Sequence, residues 1–314
     1  MSRILLIFFL LLSTTNALAR EDPKDAFQQT TVTVSIAPQK YILQRIAGNA
    51  NLQVVVLVRP GADPHSYEPS PAQVRDIETS LAWFTIGVPF EDIWLPRIQK
   101  IVPQLKIISS IKGIKRLRSD ESEHVHNEHE HHEHAEEADT QEFNHDHSHG
   151  GEDPHVWLSP MLVREMLPGL AKELGRLFPD KAAEFKANAA TFGNELESLD
   201  KELAARFDAF PAEQRVFLTF HPSWRYFAYN YQLTELSIEI DGKEPGPRTL
   251  QAVLNKAQHS GIRTVFVEPQ FSKSAATAIA EAIGAKVETA DPLAEDLVVL
   301  YNEMTDKLVR SFNR

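Results

Sequence analysis

Two series of alternating strand-like and helix-like patterns, one on each side of a long helical stretch, constrain the fold most strongly. In the first series, short apolar runs rich in β-branched residues predict four strands, at Thr31–Ile36, Gln53–Val58, Ala82–Ile86 and Leu105–Ser109. The second series predicts four more, at Val216–Phe220, Leu233–Ile240, Thr264–Val267 and Ala285–Thr289. Helical spacing separates the strands, as at Ile42–Ile46, Ala72–Thr79, Thr249–His259, Lys273–Ile283 and Leu293–Phe312. Such alternation is typical of mainly parallel sheets flanked by helices, so the sequence predicts an α/β fold with two lobes.

The stretch between the two series predicts helices. A helical pattern from Pro160 to Leu177 is followed by Asp180–Phe210, which has strong helix formers and apolar residues spaced three and four apart. A helix of about 28 residues would be about 40 Å long, more than one lobe needs, so we expect a single backbone helix that joins the lobes. The alternative is a pair of shorter helices broken near Gly193.

The start of the chain has the features of an export signal. One Arg precedes an apolar run, and Ala17-Leu18-Ala19 forms a small-residue exit. We therefore expect a signal peptide at residues 1–19.

The strand and helix patterns divide the rest of the chain into three parts. We expect an N-terminal α/β lobe at residues 20–164, a helical segment at residues 165–210 with the connecting helix at about 180–210, and a C-terminal α/β lobe at residues 211–314.

The sequence contains no cysteine. This excludes disulfides and thiolate metal ligands within it, so a tight metal site would have to use His, Asp and Glu. It also removes the acylated cysteine of exported bacterial lipoproteins. We expect a soluble periplasmic protein without a lipid anchor.

Nine of the thirteen histidines lie between residues 124 and 149. The surrounding segment from Asp120 to Asp153 holds thirteen of the 44 acidic side chains and no basic ones, which accounts for the formal net charge of −12. Such a segment cannot pack a core, so residues 119–152 are expected to form a disordered acidic loop that binds metal weakly, unless it is only a polar linker. The weak ligands would be His124, His126, His129, His131, His132, His134, His145, His147 and His149.

Four candidate metal ligands lie outside this loop, each beside a proline. His65, His221 and Asp291 come just after predicted strands, and His155 lies where the acidic loop gives way to a helix. Ligands of open α/β sheets collect outside the carboxyl ends of the strands, so these side chains could converge in a crevice between the lobes. The neighbouring proline restricts the backbone and reduces the freedom lost when a metal is held.

The motifs around these residues resemble a known family. DPHSYEPSP, DPHVWLSP, FHPSWRYFA, FVEPQFS and ADPL, together with the acidic His-rich insertion, look like the periplasmic metal-binding proteins of bacterial ABC importers, and most like the zinc-binding branch. The resemblance implies a metal site between two α/β lobes joined by one long helix. It also implies that His65, His155, His221 and Asp291 are the ligands of a four-coordinate Zn(II). Manganese-binding relatives place a carboxylate at the position of His221.

Some zinc-binding members use a water or a neighbouring Glu instead of the Asp, so the fourth ligand stays open. Glu268 could hydrogen-bond a ligand imidazole, or be a surface carboxylate. Trp157, Trp224 and Tyr67 are expected to wall the crevice. His259 is expected at a helix end, away from the metal.

We therefore expect a high-affinity zinc-binding protein that captures Zn(II) in the periplasm and delivers it to the membrane subunits of an ABC permease. The alternative is a sequestering or adhesive protein whose His-rich loop is the functional element. No basic face points to nucleic acid, and a monomer is expected. An enzyme is not expected, because the chain has no H-E-x-x-H helix, no G-x-S-x-G elbow and no cofactor fingerprint.

Overall fold

The computed structural model describes residues 30–118, 151–239 and 246–313, and in these it shows two parallel four-stranded sheets. The strands of the first sheet are β1 (Thr30–Val34), β2 (Leu52–Val56), β3 (Ala82–Thr85) and β4 (Lys106–Ser109), in the order β2-β1-β3-β4. Those of the second are β5 (Val216–Thr219), β6 (Thr234–Ser237), β7 (Thr264–Val267) and β8 (Lys286–Thr289), in the order β6-β5-β7-β8. The two sheets therefore share one topology, and the predicted α/β fold with mainly parallel sheets is confirmed.

Helices flank both sheets. The N-terminal lobe holds α1 (Ala37–Ala47), α2 (Pro71–Glu78) and α3 (Pro89–Ile101) beside its sheet. Two helices follow, α4 (Pro160–Leu177) and α5 (Ala182–Phe207). The C-terminal lobe holds α6 (Arg225–Asn230), α7 (Pro247–His259), α8 (Lys273–Ile283) and α9 (Leu297–Phe312). The predicted boundary at residue 164 falls inside α4, because the hydrogen bonding of that helix begins at its Ser159 cap.

The helix α5 is the predicted connecting helix. Its 26 residues form one continuous helix of about 39 Å, so the alternative of two shorter helices is wrong. Gly193 does not break it, because this residue is buried where α4 passes and a Cβ there would meet the Arg164 and Leu167 side chains at ordinary contact distances of 3.5 and 3.7 Å. Burial against α4 outweighs the low helix propensity of glycine.

One continuous apolar core joins the two lobes. It extends from the first sheet through α4 and α5 to α9, and takes in Phe217, Trp224 and Phe227 of the C-terminal lobe. A second, smaller core lies under the other face of the second sheet, around Leu218 and Val265. The last helix of the chain therefore packs against the helices that connect the lobes, which fixes the lobes against each other.

The candidate ligands lie near the facing ends of the two sheets. His65 follows β2, His221 follows β5 and Asp291 follows β8, while His155 precedes a short 3-10 turn that leads into α4. Within the described residues, no helix combines the length and the apolar character needed to cross a bilayer. The predicted signal peptide and the nine loop histidines lie outside those residues.

Candidate metal centre

Three imidazoles converge between the lobes. One ring nitrogen from each of His65, His155 and His221 lies within 4.8 Å of the others, and the Nε2 atoms of His65 and His155 are 3.4 Å apart. The His221 ring centroid lies 4.8 Å from that of His65 and 5.3 Å from that of His155. His155 and His221 are buried and His65 is half-buried. Three of the four residues predicted from the sequence therefore meet.

A carboxylate holds the His155 ring. Asp153 Oδ1 accepts hydrogen bonds from His155 Nδ1 at 2.7 Å and from the His155 main-chain N–H at 2.9 Å. Because Nδ1 carries the proton in this arrangement, the lone pair of Nε2 is directed to the other two rings. The ring is thus oriented as a metal ligand requires.

A second carboxylate holds the His221 ring in the same way. Glu239 Oε2 lies 2.6 Å from His221 Nδ1. The main chain fixes Glu239 beside this ring, since its N–H donates to the Phe220 carbonyl at 2.8 Å. Among the described residues His221 Nε2 is buried without a hydrogen-bond partner. A buried nitrogen without a partner is unfavourable, and a metal ion would satisfy it.

Two of the imidazoles, those of His65 and His155, are held in the neutral form that binds metals. Burial, together with the neighbouring His155 and His221 rings, lowers the pKa of His65 to about 3. Burial also lowers the pKa of His155, although Asp153 opposes this change. Burial alone would raise the pKa of Asp153, but the His155 ring and the Arg225 guanidinium bring it below its usual value. His65 and His155 thus present neutral nitrogens, and a charged carboxylate backs the His155 ring.

Glu268 is buried rather than on the surface, with 2% of its area exposed. Its carboxylate accepts from the main-chain N–H of His221 at 3.4 Å and from Ser223 Oγ at 3.1 Å. Of the two alternatives for Glu268, a surface position is wrong, and in the part of the chain that the structure describes it bonds the His221 main chain, while Glu239 occupies Nδ1 of the His221 ring. Burial raises the pKa of Glu268 to about 8, and the nearby Glu235 adds to this rise. Glu268 lines the cavity beside the three rings.

Asp291 is not part of the group of three imidazoles. Its Oδ1 accepts a hydrogen bond from the Leu293 N–H at 2.9 Å, which closes a turn after β8. Pro292 and Leu293, the two residues after it, line the cavity. The carboxylate predicted as fourth ligand is therefore engaged by the main chain, next to residues that line the cavity.

The cavity walls differ from those expected. Trp157 lines the cavity as predicted, and Phe271, which the prediction missed, stacks on the His221 ring at 5.2 Å between centroids. Trp224 instead packs edge-on against Phe227, and Tyr67 contacts Phe90 and donates to Gln73. His259 is exposed, and its Nδ1 lies 2.6 Å from the Asn255 carbonyl oxygen.

Two further functional residues escaped the sequence prediction. The signal for Asp153 was present as a repeated motif, because Asp63-Pro64-His65 has the same pattern as Asp153-Pro154-His155, and Asp63 likewise accepts from the His65 N–H at 2.9 Å. No such signal exists for Glu239, which lies eighteen residues after His221 and reaches it through the pairing of β5 with β6.

The family model described as the zinc-uptake complex component A, periplasmic, matches residues 32–314. The chain belongs to this family. The resemblance predicted from the motifs is thereby confirmed, and the family is one of transport proteins outside the cytoplasm.

Similar proteins agree with this assignment. The zinc-binding protein AdcA of Streptococcus pyogenes serotype M3 is 28% identical over 268 residues, covering 83% of this chain and 50% of that protein. The high-affinity zinc uptake system protein ZnuA of Brucella abortus is 31% identical over 150 residues, or 47% of this chain and 44% of that protein. The chain thus spans about half the length of the curated relatives it matches.

Solved structures match over nearly the full length. A crystal structure of ZnuA is 36% identical, covers 90% of this chain and 99% of that one, and superposes with a TM-score of 0.77. A ZnuA deletion mutant with zinc bound is 36% identical, covers 91% and 98%, and has a TM-score of 0.76. The fold of two parallel-sheet lobes and a long central helix is that of these proteins.

Proposed function

We propose that this chain is the periplasmic solute-binding protein of a zinc importer. It captures Zn(II) in the crevice between its lobes and delivers the ion to the membrane subunits of an ABC permease. The zinc-uptake family and the zinc-bound relative support zinc as the cargo. Zinc here is the transported ion and not a resident cofactor.

The observation that carries the proposal is the convergence of three imidazoles whose other nitrogens are held in place. His155 and His221 each place Nδ1 against a carboxylate, and one ring nitrogen of each lies within 4.8 Å of a ring nitrogen of His65. Three nitrogen donors favour Zn(II) over the harder ions Mn(II) and Mg(II). Carboxylates that orient ligand imidazoles are the usual companions of such a site and raise the basicity of the ligands.

Asp291 is our proposed fourth ligand, with Glu268 and water as the alternatives. The turn after β8 brings its neighbours to the cavity, and because a carboxylate has two oxygens, Oδ2 could bind the metal while Oδ1 keeps its bond to the Leu293 amide. Glu268 lines the cavity and accepts from the His221 main-chain N–H, but burial raises its pKa to about 8, so ligation near neutral pH would require it to release a proton. An Asp291→Ala variant should bind zinc more weakly, whereas Glu268→Gln should bind nearly as well as the parent. The reverse order would assign the fourth position to Glu268.

Calorimetry and chelator competition test the proposal on protein lacking residues 1–19. We expect one tight zinc equivalent per chain, which survives deletion of residues 121–149 and is lost from the His65→Ala, His155→Ala and His221→Ala variants. His259→Ala is the matched control, because this histidine is exposed and its Nδ1 contacts the Asn255 carbonyl of its own helix. Tight binding that disappears with the deletion but withstands the three substitutions would overturn the proposal.

The sequestering or adhesive alternative gains no support from the described residues. It places function in the nine histidines between residues 124 and 149, which lie outside those residues, whereas a site with three convergent imidazoles exists without them. The absence of a lipid anchor, the monomeric state and the absence of nucleic-acid binding stay predictions, and one streptococcal relative is named a zinc-binding lipoprotein.

A further inference from the structure

The segment that carries His155 precedes the connecting helix in the chain, but groups from the C-terminal lobe hold it at both ends. Before His155, Tyr226 Oη donates to the main-chain oxygen of Asp153 at 2.8 Å. After it, Tyr301 Oη donates to the main-chain oxygen of Trp157 at 2.6 Å. Tyr226 lies on α6 and Tyr301 on α9. The position of this ligand is therefore set across the boundary between the lobes.

Side chains of α6 also form hydrogen bonds with the main chain that leads into the His-rich insertion. Tyr226 Oη accepts from the Leu117 N–H at 2.9 Å, and Arg225 Nη2 donates to the Arg118 carbonyl at 2.8 Å. The returning chain pairs with the outgoing one, since the Asp153 N–H donates to the Leu117 carbonyl at 2.8 Å. We call the main chain of Leu117, Arg118 and Asp153, on either side of residues 119–150, the insertion stem. Arg225 and Tyr226 thus hydrogen-bond both sides of this stem.

Contacts through Asp153 also connect these two side chains of α6 to the metal ligand His155. Arg225 Nη1 lies 3.8 Å from Asp153 Oδ2, and Asp153 Oδ1 holds Nδ1 of His155. Tyr226, Asp153 and His155 are 3%, 4% and 5% exposed, so water does not readily replace a lost bond. Removing the Tyr226 hydroxyl would leave the Leu117 N–H and the Asp153 carbonyl without this partner, and buried unpaired groups are unfavourable. The local main chain would shift, and the His155 ring with it.

We propose that Tyr226 and Arg225 are positioning residues for the metal ligand His155. Tyr226 fixes the main chain of Asp153, Arg225 lies against its second carboxylate oxygen, and Asp153 in turn fixes the imidazole. The proposal rests on the proposed function, because it takes His155 as a ligand of Zn(II). It adds that the stem of the insertion and the metal site are held by the same two side chains.

The test is a double-mutant cycle on the full chain without residues 1–19, with zinc affinity measured by chelator competition. Tyr226→Phe should weaken zinc binding about tenfold, the lower end of the range for groups that orient a ligand. Tyr229→Phe is the matched control on the same helix; it is 74% exposed and should change nothing. His155→Ala keeps His65 and His221 and should retain only weak zinc binding; Tyr226→Phe should not weaken that residual affinity further, because residues that act through one another are not additive.

Two further measurements separate positioning from a general loss of structure. The visible absorption of the Co(II)-loaded protein should shift in Tyr226→Phe and stay as in the parent in Tyr229→Phe. Arg225→Met should also weaken zinc binding, which keeps the proposal testable if Tyr226→Phe does not fold. Unchanged affinity in both Tyr226→Phe and Arg225→Met, or an equal loss with and without His155, would overturn the proposal. A parent protein that binds no zinc would instead refute the proposed function.

Discussion

At the scale of single residues, the site depends on two carboxylates as much as on its three imidazoles. Asp153 and Glu239 each take up one ring nitrogen and leave the other for a metal. The positions of His65, His155 and His221 could be predicted from the sequence, because each lies beside a proline at the end of a strand or the start of a helix. Their carboxylate partners depend on side-chain orientation and strand pairing, which spacing along the chain does not reveal.

Replacement of Glu239 tests this dependence. We expect Glu239→Leu to weaken zinc binding about tenfold or more, since loss of a group that orients a ligand imidazole commonly costs that much. Chelator competition measures the effect. Glu295→Leu, which alters an exposed carboxylate paired with Lys40 at 2.9 Å, is the control and should bind as the parent does. Equal affinity for all three proteins would show that the Glu239 contact has no bearing on the metal.

The lowered pKa of His65 also predicts how stability depends on pH. The pKa of His65 falls from 6.5 in the unfolded chain to about 3 in the folded metal-free protein, so the unfolded chain takes up a proton first as pH falls. The stability that this group contributes is present above about pH 6.5 and is lost as pH drops toward 3. Urea unfolding at pH 7 and pH 5 should show a smaller loss for His65→Gln than for the parent. An identical pH dependence would contradict the lowered pKa.

At the scale of elements, the sequence predicted most helices and strands because their apolar periodicity is strong. The bounds of α4, β7 and α8 agree with the prediction, and the other predicted elements differ mainly at their ends. No bounds were predicted for the helix α3, and Pro96 in its interior works against the helical pattern. The helix α6 is too short to show an apolar periodicity in the sequence, although it carries Arg225 and Tyr226, which hydrogen-bond the insertion stem.

Two glycines of α4 give a paired test of helix packing. A Cβ at Gly169 would meet nothing within 4 Å, whereas one at Gly175 would lie 2.9 Å from the Cβ of Ala182. Gly169→Ala should raise the free energy of unfolding by up to about 1 kcal/mol through helix propensity. Gly175→Ala should lower it, because the start of α5 must move away. Urea unfolding of both variants measures the difference, and equal effects would contradict the close contact of these helices.

At the scale of the whole molecule, the continuous core limits how the lobes can separate. The helix α9 packs against α5, and its Tyr301 hydroxyl donates to the main-chain oxygen of Trp157. Wide opening of the crevice between the lobes would therefore expose apolar surface. The sequence predicted two lobes and their connecting helix but not this shared core, because contacts between distant segments leave no mark in local periodicity. Release of a bound ion is therefore expected through small displacements at the site.

A shared core predicts cooperative unfolding. Calorimetry of the metal-free protein should show one transition for both lobes. Zinc should raise its midpoint in proportion to the logarithm of the free zinc concentration, with a gain of about 2.7 kcal/mol at one hundred times Kd. Two separate transitions, only one of them moved by zinc, would show that the lobes fold independently.

The central claim is that Zn(II) binds in the crevice between the lobes, on the three imidazoles that already converge there. A crystal of the zinc-loaded protein, measured on both sides of the zinc absorption edge, tests it directly. The account predicts one strong anomalous peak at about 2.0–2.1 Å from a ring nitrogen of each of His65, His155 and His221. A crevice without such a peak, in a crystal whose zinc is bound elsewhere on the chain, would contradict it.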